Sequence, residues 1–270
     1  MQPVNVVFDI GGTKTRVATV AGGHTLNEIK TFETSPDPEI GFEKLVNTVC
    51  SLIGDFPVGA ICGGVPGTVD NNVLVSAHNL PKWAGMPIAE RLFNIFNAPV
   101  KLFNDAELVA LGEYYYGAGK GEKDMLYVTV STGVGGAHIV NGKIDKGRYN
   151  AEIGHQMVNR AELEDQISGT AVAKKYNVHP KDLSDQTILN ELADTLAKGL
   201  YDNVLHWSPE AIVLGGSMIV GKNAIPIERV EKTLTAMVKK YYPEAPRILK
   251  AKLADQGGLY GGLACLSYSL

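Results

Sequence analysis

Short stretches of this sequence hold residue types that can do chemistry at close spacing. Asp9-Ile10-Gly11-Gly12-Thr13-Lys14 sets a carboxylate at the end of an apolar run, followed by two glycines, a hydroxyl and a lysine. Glycines let a backbone approach a ligand closely, and successive N–H groups in such a turn can cradle phosphate oxygens. On that reading Asp9 faces a magnesium ion, while Thr13 and Lys14 face phosphates. The plainer reading is a β-hairpin with a glycine turn. Ser131-Thr132-Gly133-Val134-Gly135-Gly136 is a second such cradle after a strand. Between them, Asn104-Asp105-Ala106-Glu107 follows the strand run Val100–Phe103. Asn104 with Glu107 three residues on is a variant of the capping box, and Asp105 complements a helix dipole. A carboxylate fixed at a strand end and helix start is also where a base would sit to take a proton from a substrate hydroxyl.

Other polar residues read more plainly. Glu152-Ile153-Gly154-His155 puts Glu and His three apart on one side of a turn or helix start, by default a solvated ion pair. Glu164 lies in an acidic helix start, and Asn79 can hold a turn in a polar loop. No cysteine lies between Cys62 and Cys265, so His155 has no thiolate partners at metal-ligand spacing. The sequence contains no G-x-x-x-x-G-K-[ST], no G-x-G-x-x-G opening a helix, and no H-R-D or D-F-G triplet.

The elements that position these residues follow from apolar patterning. Val7–Val20 reads as strand, glycine turn, strand, with a third strand at Leu26–Phe32 and a helix over Ile40–Ile53. Val58–Gly64 is a strand ending in glycines, residues 71–86 read as irregular, and Pro87–Phe96 and Ala106–Tyr116 are helices. Met125–Ser131, the turn Gly133–Gly136 and the strand Ala137–Val140 then restart the pattern. Helices are expected at Thr187–His206, Pro226–Tyr242 and Gly258–Leu270, and strands at Ala211–Leu214 and Arg247–Leu253. The glycine pairs Gly63-Gly64 and Gly215-Gly216 end corresponding strands. Such duplication predicts an α/β fold of two lobes facing each other across a central cleft. The expected division is a lobe of residues 1–117, a lobe of 118–256, and a C-terminal helix 257–270 packing back on the first.

At 270 residues, 20% charged and with a net charge of −4, the composition is that of a globular protein without a basic nucleic-acid-binding surface. Three widely spaced cysteines, two in apolar segments, suit a reducing, cytoplasmic compartment. A strand starting by Val4 leaves no room for a signal peptide or an N-terminal DNA-binding helix-turn-helix, and no apolar run is long enough to span a membrane.

Taken together, these motifs resemble the ROK family (repressors, open reading frames and kinases), sugar kinases of the actin, heat-shock chaperone and hexokinase superfamily. The resemblance covers nearly the whole chain. Asp9–Lys14 looks like the family's first phosphate motif and Thr132–Gly136 its second. Gly64–Gly67 with Asn79–Trp83 is similar to its sugar-side loops, Asn104–Ala106 to its catalytic segment, and Glu152–His155 to its signature centre. It implies the two-lobed actin-like ATPase (ribonuclease H-like) fold and ATP-dependent phosphorylation of a hexose 6-hydroxyl, with Asp105 as general base. It further implies that Asn79, Asn104, Glu152, His155 and Glu164 bind sugar hydroxyls and that Asp9 positions Mg²⁺. Gly11, Gly12, Thr13, Lys14, Thr132 and Gly133 would surround the phosphates, and Gly215 and Gly216 the adenosine. The partner is then a hexose or N-acetylhexosamine, with neither nucleic acid nor membrane, and a homodimer is compatible with the family. In one respect the chain departs from the pattern. Most members carry a cysteine-rich zinc loop after the Gly-His, whereas Gln156–Glu162 here holds no cysteine. No structural zinc is expected, and the orientation of His155 must come from another partner.

Overall fold

The computed structural model describes residues 1–22, 25–268 and 270, with only the backbone of Ala21 included. The chain forms two compact units. The first comprises Met1–Tyr116, Lys146–Asn150 and Asp255–Leu270; the second comprises Gly117–Asp145 and Ala151–Ala254.

In the first unit, β-branched runs form β1 (Val4–Ile10), β2 (Lys14–Ala21) and β3 (Thr25–Glu33), followed by helix α1 (Pro38–Ile53). Asp37 caps α1 by accepting the N–H groups of Glu39 and Ile40 at 3.0 and 3.3 Å. The unit continues with β4 (Val58–Val65), β5 (Thr68–Asp70), β6 (Val73–Ser76), α2 (Ile88–Phe96), β7 (Val100–Asn104) and α3 (Asp105–Tyr116). The main sheet runs β3-β2-β1-β4-β7; β1 to β3 are antiparallel, whereas β1, β4 and β7 are parallel. Alternation along β1 sends Val6, Phe8 and Ile10 into a core with Phe42, Leu45, Trp83 and Leu92, and Val7 to the opposite face.

The expectation of irregular chain over residues 71–86 is corrected here. β5 and β6 form a hairpin whose turn, Asn71-Asn72, has two left-handed residues at φ 48° and 64°, the conformation that matches hairpin twist. A short 3-10 turn follows at Pro81–Trp83. The Asn72 side chain donates to Val100 O at 3.2 Å and accepts from Leu102 N at 2.9 Å, occupying the backbone groups of edge strand β7.

The second unit repeats this order with β8 (Asp124–Val130), β9 (Val134–Val140), β10 (Lys143–Ile144), β11 (Met157–Val158), β12 (Ala161–Glu162), α4 (Glu164–Ile167), α5 (Gly169–Tyr176), α6 (Gln186–Trp207), β13 (Ala211–Gly215), α7 (Ser217–Val220), α8 (Ile227–Val238) and β14 (Arg247–Lys250). Its sheet runs β10-β9-β8-β13-β14, antiparallel on the hairpin side and parallel on the other. The two sheets are thus the same α/β unit used twice, as in the actin-like ATPase fold. Leu189, Leu192, Leu196, Leu200 and Val204 line the buried face of α6, at the spacing read from the sequence. Some boundaries differ from expectation. β9 begins at Val134, so the glycine turn is confined to residues 131–133, and Gly135 and Gly136 are strand residues. The helix expected at 226–242 ends at Val238, and the strand expected at 247–253 ends at Lys250.

The last helix, α9 (Gly257–Tyr268), belongs to the first unit. Ser269, within the helix expected at the C-terminus, lies outside the described residues. Helix α9 crosses α3 at backbone contact: a methyl added at Gly261 would lie 1.7 Å from Leu108 O, and one at Gly112 would lie 2.3 Å from Gly257 O. Its Leu259 and Leu263 cover the face of the sheet carrying Val7, Ala18 and Val20. Among the described residues, no helix is long and apolar enough to cross a membrane.

Candidate active site

In the first unit, the chemistry collects at the carboxyl ends of the parallel strands β1, β4 and β7. Register pairs Asp9 with Gly64 and Val65 with Asn104, so Asp9 and Gly64 lie near the ends of the adjacent strands β1 and β4, and Asp105 directly follows β7 on the other side of β4. Gly64 separates the two carboxylate residues: a methyl there would lie 3.3 Å from Asp9 Oδ1 and 3.4 Å from Asp105 Cα. Open α/β sheets place ligands at this strand end. The same end carries the first glycine turn, closed by Gly11 N donating to Lys14 O at 2.9 Å. Thr34 braces that turn, its N–H on Thr13 O at 2.9 Å and its hydroxyl on Gly11 O at 2.8 Å. Gly12, Thr13 and Lys14 are exposed, as is Asn79. A methyl at Gly12 would lie 3.4 Å from Asn79 Cβ, so Asn79 stands against the turn.

Asn104 and Asp105 are held by the start of α3. Asn104 Oδ1 accepts the N–H groups of Ala106 and Glu107 at 2.9 and 3.2 Å, and Glu107 Oε2 accepts Asn104 N–H at 3.3 Å. This is the reciprocal capping box read from the sequence. The Asn104 amide also donates to Gly67 O at 2.9 Å, which ties the loop after β4 to the helix start. Asp105 Oδ1 accepts Ala106 N–H at 2.9 Å, fixing its carboxylate in the first helical turn.

Asp9 has a different environment. It lies on the Val7 side of β1, beneath α9, where a methyl at Gly258 would meet its Cγ at 2.5 Å. Arg16, its register partner on β2, approaches only to 4.0 Å and makes its closer bond, 2.8 Å, to Asp255. Burial therefore dominates and pushes the Asp9 pKa up to about 6; Arg16 pulls it down and Asp255 adds to the rise. A buried carboxylate with so little compensation is a hard oxygen donor that a divalent cation would neutralise, so this site fits Mg²⁺.

The second unit gathers its candidates at the end of β8, β9 and β13. Thr132 and Gly133 form the second turn, closed by Ser131 N donating to Gly133 O at 2.8 Å. Helix α5 locks onto it: Gly169 N donates to Ser131 O at 2.7 Å, and the Thr170 hydroxyl donates to Thr132 O at 2.8 Å. Glu164 is bonded into the turn, accepting Val134 N–H at 2.6 Å; a methyl on Gly133 would lie 2.5 Å from Glu164 Oε2. Gly215 pairs with Thr129 in register, and Gly216, with φ at 87°, carries the chain past it. The Ser131 and Ser217 hydroxyls are 3.2 Å apart, bringing this glycine pair to the second turn. Glu152 precedes and His155 ends a single 3-10 turn, with Glu152 Oε2 3.9 Å from His155 Nε2. His155 Nδ1 lies 2.6 Å from Glu162 Oε2. That bond, with smaller contributions from Glu152 and Glu164, raises the His155 pKa against the opposing effect of partial burial. Among the described residues, no group of three His, Cys, Asp or Glu side chains is placed to hold a metal ion.

Sequence reasoning missed Arg16, Glu162 and Gly258. Arg16 was within reach, because counting outward from the Gly11–Gly12 turn puts it opposite Asp9. Glu162 depends on a hairpin of two-residue strands, and Gly258 on a contact made across 249 residues of sequence, neither of which leaves a periodic signal.

The ROK family profile matches residues 6–267. The chain is similar to a fructokinase of Pediococcus pentosaceus, with 26% identity over 95% of each chain. It is also similar to an N-acetyl-D-glucosamine kinase of Vibrio parahaemolyticus, with 26% identity over 94% of this chain and 96% of that one. Among solved structures, the ROK hexokinase of Thermus thermophilus superposes with a TM-score of 0.81 at 28% identity, covering 98% of both chains. With its two matching sheets, both glycine turns and a family match along almost its whole length, the chain belongs to the ROK family, as one of its sugar kinases.

Proposed function

We propose that this ATP-dependent kinase phosphorylates the 6-hydroxyl of a hexose or N-acetylhexosamine, with Asp105 as the general base. One observation carries the reading: Asp9 and Asp105 lie at the same end of one sheet on either side of Gly64 of β4, Asp9 buried with Arg16 no nearer than 4.0 Å, Asp105 oriented by a helix start. This is a division of labour between phosphate and proton chemistry. Asp105 accepts the hydroxyl proton as the sugar oxygen bonds to the γ-phosphorus and the β–γ bridge of ATP breaks, leaving ADP. Asp9 would hold Mg²⁺, which when bound offsets negative charge on the phosphates. The N–H groups of the two glycine turns, with Thr13, Lys14 and Thr132, bind phosphate oxygens, and Gly215 and Gly216 admit the adenosine. Phosphoryl transfer depends mostly on such positioning and electrostatics. Asn79, Asn104, Glu152, His155 and Glu164 bind the sugar hydroxyls. The names of the relatives span hexoses and an N-acetylhexosamine, which supports the substrate class.

The test is an ADP-release assay with D-glucose, D-fructose, D-mannose, N-acetyl-D-glucosamine and N-acetyl-D-mannosamine, followed by phosphate positioning in the product by NMR. Asp105→Asn should lower kcat by roughly 10²–10⁴ with sugar binding largely kept. Near-normal turnover of the folded variant would remove Asp105 from the mechanism.

A further inference from the structure

The segment Gln156–Glu162, which stands where most relatives are expected to carry a cysteine loop, is a miniature hairpin. Strands β11 and β12 pair Met157 with Glu162 and Val158 with Ala161. Asn159 and Arg160 make the turn, both left-handed at φ 51° and 72°. The Gln166 side-chain amide, projecting from α4, approaches three carbonyls of this hairpin: Val158 at 2.7 Å, Ala161 at 3.0 Å and Glu162 at 3.1 Å. At its base, Leu163 N donates to Gln156 O at 3.0 Å, and the Gln156 side chain accepts from Asn203 of α6 at 3.3 Å. A hairpin of two-residue strands would not hold its shape alone; here the bonds to α4 and α6 fix it. Its last residue, Glu162, is delivered to the ring of His155.

We propose that Glu162 is the positioning residue for His155, its carboxylate binding Nδ1 so that Nε2 is presented to a sugar hydroxyl. The inference rests on the reading of His155 as a sugar ligand. A carboxylate only accepts, so Nδ1 must carry the proton, which fixes the tautomer and the ring plane together. Glu162, Glu152 and Glu164 are carboxylates near the ring, of which Glu162 is bonded to Nδ1 and Glu152 comes to 3.9 Å of Nε2. The hydrogen-bonded carboxylate thus fixes the ring as outer-shell carboxylates do at metal-ligating histidines.

The pair is partly exposed, His155 at 33% and Glu162 at 44%, so removing the carboxylate should leave the fold intact. Kinetics with the best sugar of the ADP-release screen test the proposal. Glu162→Ala should raise the sugar KM by about tenfold, the lower end of the effect of losing such an outer partner. The KM for ATP and the melting temperature should stay close to wild type. Glu162→Gln should move the His155 limb of the pH profile of sugar kcat/KM to lower pH, because the charge that favours the imidazolium is gone. Glu162→Asp should recover part of the lost affinity. The double variant with His155→Ala should be no worse than His155→Ala alone, since Glu162 acts only through the ring. Additive losses, or an unchanged sugar KM in Glu162→Ala, would overturn the role of Glu162 while leaving His155 as a sugar ligand. An unchanged sugar KM in His155→Ala would overturn both.

Discussion

Asp9 shows how a single residue can be placed against its own stability. Its folded pKa of about 6 stands above the ordinary 3.8 because burial outweighs the compensation from Arg16 at 4.0 Å. A raised carboxylate pKa means that the folded protein binds more protons than the unfolded chain between those two values. The contribution of Asp9 to stability is therefore greatest below about pH 4, falls between about pH 4 and 6, and is level above. At pH 7 the ionised carboxylate costs roughly 3 kcal/mol. Asp9→Asn should accordingly stabilise the ligand-free protein by about 1–3 kcal/mol at pH 7, while turnover is lost. Urea denaturation at two pH values checks this: the gain should shrink by about half at pH 5. A gain independent of pH would contradict the electrostatic origin.

The elements around these residues were unequally legible in the sequence. Strands with β-branched runs (β1, β4, β8 and β13) and helices with a clear apolar face (α1 and α6) are readable, because burial imposes a period that the sequence repeats. The capping box at Asn104 and Glu107 was legible too, since a cap is a local contact. By contrast, the hairpins β5-β6 and β11-β12 use turns without glycine and strands of two to four residues, too short to show alternation. The crossing of α3 and α9 was visible only as a small-residue helix expected to pack back on the first lobe, without α3 named as its partner. That crossing makes a sharp prediction. Gly261→Ala must push its methyl into Leu108 O or part the two helices, so it should destabilise the protein by about 1–3 kcal/mol. Chemical denaturation would measure the loss, and an unchanged midpoint would mean that the helices separate freely.

At the scale of the whole molecule, each sheet is built from a hairpin followed by parallel strands, and each places its glycine turn at the same strand end. This duplication was evident from the paired strand-turn-strand segments, and it is why the fold class could be read without any single decisive motif. The chain path is more involved than two consecutive lobes: the first unit is assembled from three separate segments, the last of which is Asp255–Leu270. Ending the chain at Ala254 should therefore disable the first unit rather than trim it. The loss of Leu259 and Leu263 alone removes about 3–6 kcal/mol of apolar burial, against a typical stability of 5–15 kcal/mol. Soluble yield and thermal melting of the shortened chain test this; a melting temperature within a few degrees of wild type would refute it.

The Asn72 amide on β7 has a consequence for the open rim of the first sheet. A bare outer strand is a template on which another chain can continue a sheet, and growth of that kind has no natural end. At Val100 and Leu102 the template is already filled by an asparagine that copies the hydrogen bonds of a peptide group. Sheet extension through this rim is blocked at those two residues.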